Sequence, residues 1–123
     1  IRMSGWLFYR LGARGFLHWG FNYWHKMERE EIGDPYNDAS NASWPGIPYG
    51  DPFMIYPGPD GPVDCIRWEV FAESLQDYAI LQSAGIKPDD PLLAELKTYA
   101  DFPKNEEWLR EALTTILKGR KSQ

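Results

Sequence analysis

Four groups of residues in this chain carry side chains able to do chemistry. His18 and His25 stand seven apart with Glu28 three beyond, a spacing that suggests metal ligands or an acid-base pair. Nothing completes a ligand set, and in a strand His18 would alternate away from Trp19, so neither a metal nor a catalytic histidine is expected. Asp34, Asp38 and Asp51 are the carboxylates in loop positions that could face a site. A general acid needs an apolar environment that sequence does not reveal, and Asp beside Pro, Gly and Asn is turn chemistry first. Cys65 is the lone cysteine; it cannot close a disulfide within the chain, cannot build a structural zinc site, and has no histidine placed beside it to activate it. The fourth group is aromatic. Six Trp, seven Tyr and six Phe make up 15% of the chain, many of them in its first half beside Gly, Asn, Asp and Pro. Trp19, Trp24 and Tyr56 offer flat apolar faces with polar tips, suited to stacking on a pyranose ring as well as to filling a core, and Asn22 adds a donor and an acceptor.

These residues need elements to hold them. Ile1, Trp6, Leu7, Tyr9 and Leu11 read as the end of a helix stopped by Gly12 in a left-handed conformation. Gly15 to Phe21 is a short aromatic and apolar run that predicts a buried strand. From Asn22 to Pro52 the chain is rich in turn pairs, with a possible helical turn in the charged run HKMEREEI and an N-glycosylation triplet at Asn41-Ala42-Ser43. A loop of that length in a small domain suggests function. Phe53 to Tyr56 predicts a second strand, ended by a Pro-Gly run through Pro62 that is not expected to extend a ladder. Asp64 is the expected cap of a helix from about Cys65 to Ala84, with Ile66, Val70, Phe71, Leu75, Tyr78 and Leu81 as its buried face and Gly85 as its stop. Asp90-Pro91 predicts a helix to about Ala100, and Asn105 another ending before Gly119, after which Arg120 to Gln123 should fray.

The composition is that of a folded chain: 43% apolar, 25% charged, net charge -5. Basic residues are scattered, so nucleic acid is not an expected partner; no apolar run is long enough to span a bilayer, so neither is a membrane. No cofactor is implied. Two strands bury too little to make a stable sheet. This, with a first residue other than Met, leads to the expectation of a piece of a larger fold whose compartment stays open, secreted or periplasmic if a signal peptide precedes it.

Residues 15 to 81 contain GFLHWGFNYW, a polar loop with DPY, and GDPFMIYPGPDGPVDCIRWEVFAESLQDYAIL. This block resembles the C-terminal region of glycoside hydrolase family 123 and a related domain family numbered 4091. The most specific part is the Pro-Gly turn leading into Ile66-Arg67, with Gln76-Asp77-Tyr78 about ten residues on. The resemblance implies an α/β fold, the last two strands and last barrel helix of a (β/α)8 TIM-type barrel, followed by short C-terminal helices: residues 1–85 in the barrel domain and 86–123 as a helical extension. It places Trp19, Asn22, Trp24 and Tyr56 at the active face, where strand ends and following loops form the site. It implies action on N-acetylgalactosamine-like glycosides by a substrate-assisted retaining route, with the catalytic Asp-Glu pair on an earlier strand and no catalytic residue here. The chain alone is then expected to be inactive. Partners would be carbohydrate and the upstream part of the same barrel, or a second copy paired through open strand edges. Where the family usually has Ser, Arg, Gly and Glu, this chain has Cys65, Ala72, Ser74 and Ala79. Arg67 is expected in a structural ion pair, and Asp77 and Tyr78 as anchors of the last helix. The competing expectation is a noncatalytic carbohydrate-binding or structural interaction module.

Overall fold

A computed structural model describes residues 1–26, 30–37, 48 and 50–120. In chain order these form helix α1 (Ser4–Leu11), strands β1 (Ile55–Gly58) and β2 (Gly61–Asp64), helix α2 (Ile66–Ser83), a 3-10 helix Pro91–Leu93, and helix α3 (Glu106–Arg120). The described residues thus make a small α/β structure with three helices and a two-stranded antiparallel sheet. Its residues cluster into two units, one of Ile1–Gly15 with Phe71–Gln123, the other Phe16–Val70.

The first unit is helical. α1 stops as its sequence predicts: Gly12 takes φ 68° and ψ 30°, and the N–H groups of Gly12 and Ala13 return to the carbonyls of Tyr9 and Phe8 at 3.3 and 2.9 Å. Gly85, at φ 69°, closes α2 in the same way, with the Ile86 N–H on the Leu81 carbonyl at 3.2 Å. Glycine fits both because a Cβ is disfavoured in the left-handed region. The Asn105 side chain caps α3 by accepting from the Trp108 N–H at 2.8 Å, and Glu106 and Glu107 lie in the first turn, where the helix dipole favours negative charge. Gly119 falls inside the last turn of α3 rather than beyond it. Trp6, Leu81, Leu93 and Leu96 are fully buried, joined by Leu7, Leu109, Ala112 and Ile116 in one apolar core.

Two expectations for this unit change. The helix expected from Asp90 to Ala100 is reduced to Pro91–Leu93. Asp90 caps it as foreseen, accepting from the Leu92 N–H at 2.9 Å, but the Thr98 hydroxyl accepts from the N–H groups of Ala100 and Asp101. That local alternative to the helical ladder turns the backbone, so Lys97 donates to the Asp101 carbonyl at 3.1 Å. The buried face of α2 also differs. Leu75, and in the second unit Ile66, are exposed; Leu81 is buried as expected, and Ser74 and Asp77 are buried with it. The cause is close contact with α1: a Cβ on Gly5 would collide with the Ser74 backbone carbonyl, so this approach tolerates only small residues. Asp77, beside it, accepts from the Trp6 indole at 2.7 Å and from Arg2. Arg2 also reaches Glu73 at 3.4 Å, and the Tyr9 and Tyr78 rings meet edge to face at 5.1 Å. Asp77 and Tyr78, expected to anchor the last helix against a barrel, here hold α2 to α1 and to Arg2 just before it. Burial, and then the neighbouring Tyr78, raise the Tyr9 hydroxyl pKa, and that hydroxyl donates to the Ile86 carbonyl.

The second unit holds the sheet and the loops. β1 and β2 pair antiparallel in the register Ile55↔Asp64, Tyr56↔Val63, Pro57↔Pro62, Gly58↔Gly61. The Pro-Gly run therefore makes the ladder instead of ending it. Only alternate antiparallel pairs exchange both N–H bonds, and the outer edges of a two-stranded sheet need no donors, so two opposed prolines are tolerated. Asp64 is the end of β2, and Cys65 takes over the start of α2: its carbonyl accepts from Trp68 and Glu69 at 2.9 and 3.2 Å, while its thiol donates to the Met54 carbonyl at 2.8 Å. Residues 15–21 do not form the expected buried strand. Leu17 is 86% exposed and Phe16 55%, and at the end of the segment the Phe21 carbonyl accepts from the Met54 N–H at 2.7 Å. Apolar content alone does not make a strand when the described chain supplies no ladder on which to lay it. Asn22 and Phe53 form an antiparallel bridge there.

Candidate functional site

The aromatic residues singled out in the sequence all belong to the second unit, and the structure holds each by its polar tip. Trp19, 45% exposed, donates its indole N–H to Asp51 Oδ2 at 2.9 Å. His18 donates from Nε2 to the Asp51 backbone carbonyl at 2.8 Å. Both neighbours thus converge on one residue, contrary to the expected alternation, because residues 15–21 lack the two-residue period of a strand. Asp51 keeps its turn role, its N–H donating to Pro48 at 3.1 Å, while its side chain orients Trp19. Trp24 donates its indole N–H to the Ile55 carbonyl at 2.9 Å, which ties the loop to β1 one residue before Tyr56. Asn22 sits opposite Phe53, flanked by the Tyr23 N–H on the Pro52 carbonyl at 3.0 Å.

Tyr56 lies at the centre of a second cluster. Its ring meets Phe53 edge to face at 5.1 Å and Tyr36 at 4.9 Å, tilted 39°. Arg67, from the first turn of α2, places its guanidinium 5.4 Å from the Phe53 ring centre and 5.8 Å from that of Tyr56. It donates to the Phe53 carbonyl from Nε at 3.3 Å and Nη2 at 3.0 Å, and to the Tyr56 hydroxyl at 3.5 Å. The expected ion pair for Arg67 is replaced, among the described residues, by a carbonyl and two aromatic faces. A planar, weakly hydrated cation fits such a place better than an ammonium would.

Tyr36 was not among the residues the sequence singled out. Asp34 holds it: Oδ1 accepts from the Tyr36 and Asn37 N–H groups at 3.0 and 3.3 Å, and Oδ2 from the Asn37 side-chain amide at 2.6 Å. The Asn37 side-chain bond and then the two backbone bonds lower the Asp34 pKa, outweighing the smaller rise from desolvation. Pro35 is buried, and the Tyr36 hydroxyl donates to the Pro57 carbonyl at 2.8 Å. The signal was present in the triplet Asp-Pro-Tyr, a turn followed at once by an aromatic ring.

The histidines do not meet as ligands. His25 Nδ1 donates to the Glu30 carbonyl at 3.1 Å beside an antiparallel bridge at His25↔Ile32, with Lys26 and Glu31 paired at 2.6 Å. That pairing stands where a helical turn was expected. Glu28, Asp38 and the Asn41-Ala42-Ser43 triplet lie outside the described residues. Among the described residues no group of three or more His, Cys, Asp or Glu side chains could hold a metal ion, and no helix is long and apolar enough to cross a membrane.

What emerges is a set of tethered aromatic faces with polar edges and, among the described residues, no paired carboxylates poised among them. Compared with known families, residues 1–84 match the glycoside hydrolase 123 catalytic domain. The chain belongs to glycoside hydrolase family 123, and the match extends beyond the block 15–81 to take in α1 and the end of α2. A search of curated proteins finds no match.

Proposed function

We propose that this chain supplies part of the substrate wall of a glycoside hydrolase acting on N-acetylhexosamine glycosides of the N-acetylgalactosamine type, with Trp19, Asn22, Trp24 and Tyr56 lining the sugar site. The observation that carries this reading is the tethering of both tryptophans. Each spends its one N–H on a fixed acceptor, Asp51 Oδ2 or the Ile55 carbonyl, so the ring is held in place by its edge. A pre-oriented ring loses little rotamer freedom on binding. Asn22, exposed beside them, brings a donor and an acceptor for a hydroxyl or acetamido group.

In the mechanism that goes with this reading the substrate's own acetamido oxygen attacks the anomeric carbon. An Asp orients the acetamide, and an adjacent Glu protonates the leaving oxygen and later activates water, so the configuration is retained. That pair belongs to an earlier strand outside this chain, and the residues here bind and orient. Residues 1–85 would complete a (β/α)8 barrel whose remaining strands come from upstream, with 86–123 as a helical extension. The exposure of Phe16 and Leu17 supports a neighbour that covers them. Barrel strands run parallel, so this requires 15–21 and 53–56 to find parallel partners beyond the antiparallel contact at Asn22↔Phe53. A structure of a longer protein in which residues 15–21 joined no parallel ladder would end the barrel assignment.

The deciding experiment is hexosaminidase activity. The longer protein should release N-acetylhexosamine, this chain alone should not, and Trp19→Ala and Trp24→Ala should each raise KM. Activity indifferent to both substitutions would remove these residues from the site. The exposure of Trp19 favours one other reading, a noncatalytic carbohydrate-binding module. Saturable binding of N-acetylated sugars by this chain alone, seen as a tryptophan fluorescence change, would favour that module. Self-association through the open edges would show in sedimentation.

A further inference from the structure

We propose that Tyr36 is a further sugar-contacting residue of this site, presenting the accessible ring of the Tyr36–Tyr56 pair while Tyr56 supports it from below. The inference rests on the site reading above and adds a residue to it. Tyr56 is only partly exposed, and its ring is already engaged by Tyr36 at 4.9 Å, Phe53 at 5.1 Å and the Arg67 guanidinium at 5.8 Å. These neighbours leave Tyr56 only part of its ring with which to line the site. Tyr36 is 59% exposed, so the aromatic surface that this cluster offers belongs mainly to Tyr36.

An exposed tyrosine on a loop is ordinarily too mobile to form a binding wall. This one is fixed at three points. The Asp34 carboxylate binds its N–H at 3.0 Å, the buried Pro35 precedes it, and its hydroxyl donates to the Pro57 carbonyl of β1 at 2.8 Å. A ring pinned at its backbone and at its tip, with the Tyr56 ring packed against it, keeps its remaining surface at a constant orientation. Axial C–H groups of a sugar stack on such a surface, and nothing in the arrangement calls for charge on the ligand. Asp34 is then a positioning residue, acting through Tyr36.

The test is steady-state kinetics of the longer protein on an aryl N-acetylhexosaminide, with thermal melting of each variant alongside. Tyr36→Ala should raise KM about 5- to 10-fold with kcat within about 2-fold, the signature of binding shared by ground and transition states. Tyr36→Phe keeps the ring but loses the tether to Pro57, so its KM should rise about 2- to 3-fold, less than in Tyr36→Ala; a rise equal to that of Tyr36→Ala would assign the contact to the hydroxyl and overturn the ring-stacking role. Tyr36→Leu, which keeps apolar bulk without a ring, should behave as Tyr36→Ala and stands in for it if the alanine variant melts early. If Tyr36→Ala and Tyr36→Leu leave KM unchanged while Trp19→Ala or Trp24→Ala raises it, the role of Tyr36 is overturned and the site survives. If none of these substitutions moves KM, or the protein cleaves no N-acetylhexosaminide, the site reading falls and this inference with it.

Discussion

Trp6 and Trp19 each donate an indole N–H to an aspartate, at 2.7 and 2.9 Å, yet Trp6 is fully buried and Trp19 is 45% exposed. In the helical unit the bond removes a cost: a buried N–H without an acceptor is destabilising, and Asp77 supplies one while binding Arg2 as well. In the loop unit no such cost exists, because water could serve Trp19 equally. There the bond to Asp51 fixes where an accessible ring points. The same chemical pairing therefore holds a core together in one region and orients a surface in the other, and burial decides which.

The contrast can be broken most forcefully at Trp6. Trp6→Ala should destabilise the chain by about 3–5 kcal/mol, from lost burial and the loss of one of the two donors to the buried Asp77. Trp19→Ala should shift the denaturant midpoint hardly at all, and comparable losses for both would erase the distinction. Gly5→Ala is next, at about 2–3 kcal/mol in the same assay, because the new methyl meets the Ser74 carbonyl and the helices must move apart. In the loop unit Arg67→Ala should cost less, about 1–2 kcal/mol, by leaving the buried Phe53 carbonyl short of a donor. Its larger effect should be a loosening of the Phe53 and Tyr56 rings, visible as weaker near-ultraviolet dichroism. The smallest effect concerns Asp34. With its pKa lowered in the folded chain, its bonds to Tyr36 and Asn37 are intact above the usual carboxylate range and are lost as pH falls through and below it. Amide exchange at Tyr36 and Asn37 should quicken on acidification, while Asp34→Asn should show faster exchange already at neutral pH with little further change.

The parts of the molecule governed by near neighbours in the chain were readable beforehand. Gly12 and Gly85 stop their helices, Asn105 and Asp90 cap theirs, and the Pro-Gly turn before Ile66-Arg67 identified the family. The failures had long-range causes. Leu75 looked like a core residue because period alone does not say which face of α2 meets α1; the small Ser74 opposite Gly5 decided it. Residues 15–21 were read as a strand from apolar content, but a strand exists only where a partner offers its backbone. Tyr36 was passed over because it sits in a loop with no periodicity, and its importance comes from Tyr56 and Pro57 some twenty residues away.

By itself, then, the sequence determined where helices stop and start, that aromatic rings would gather among turns, and the family to which the chain belongs, since caps, turn chemistry and a distinctive run of residues are local properties. Tertiary structure alone decided that Asp51 would collect both His18 and Trp19, that Arg67 would choose a carbonyl and two rings over a carboxylate, and that Asp77 would be buried beneath Trp6. Each of those outcomes depends on which groups are brought within about 3 Å of one another, a distance set by packing between segments far apart in the chain.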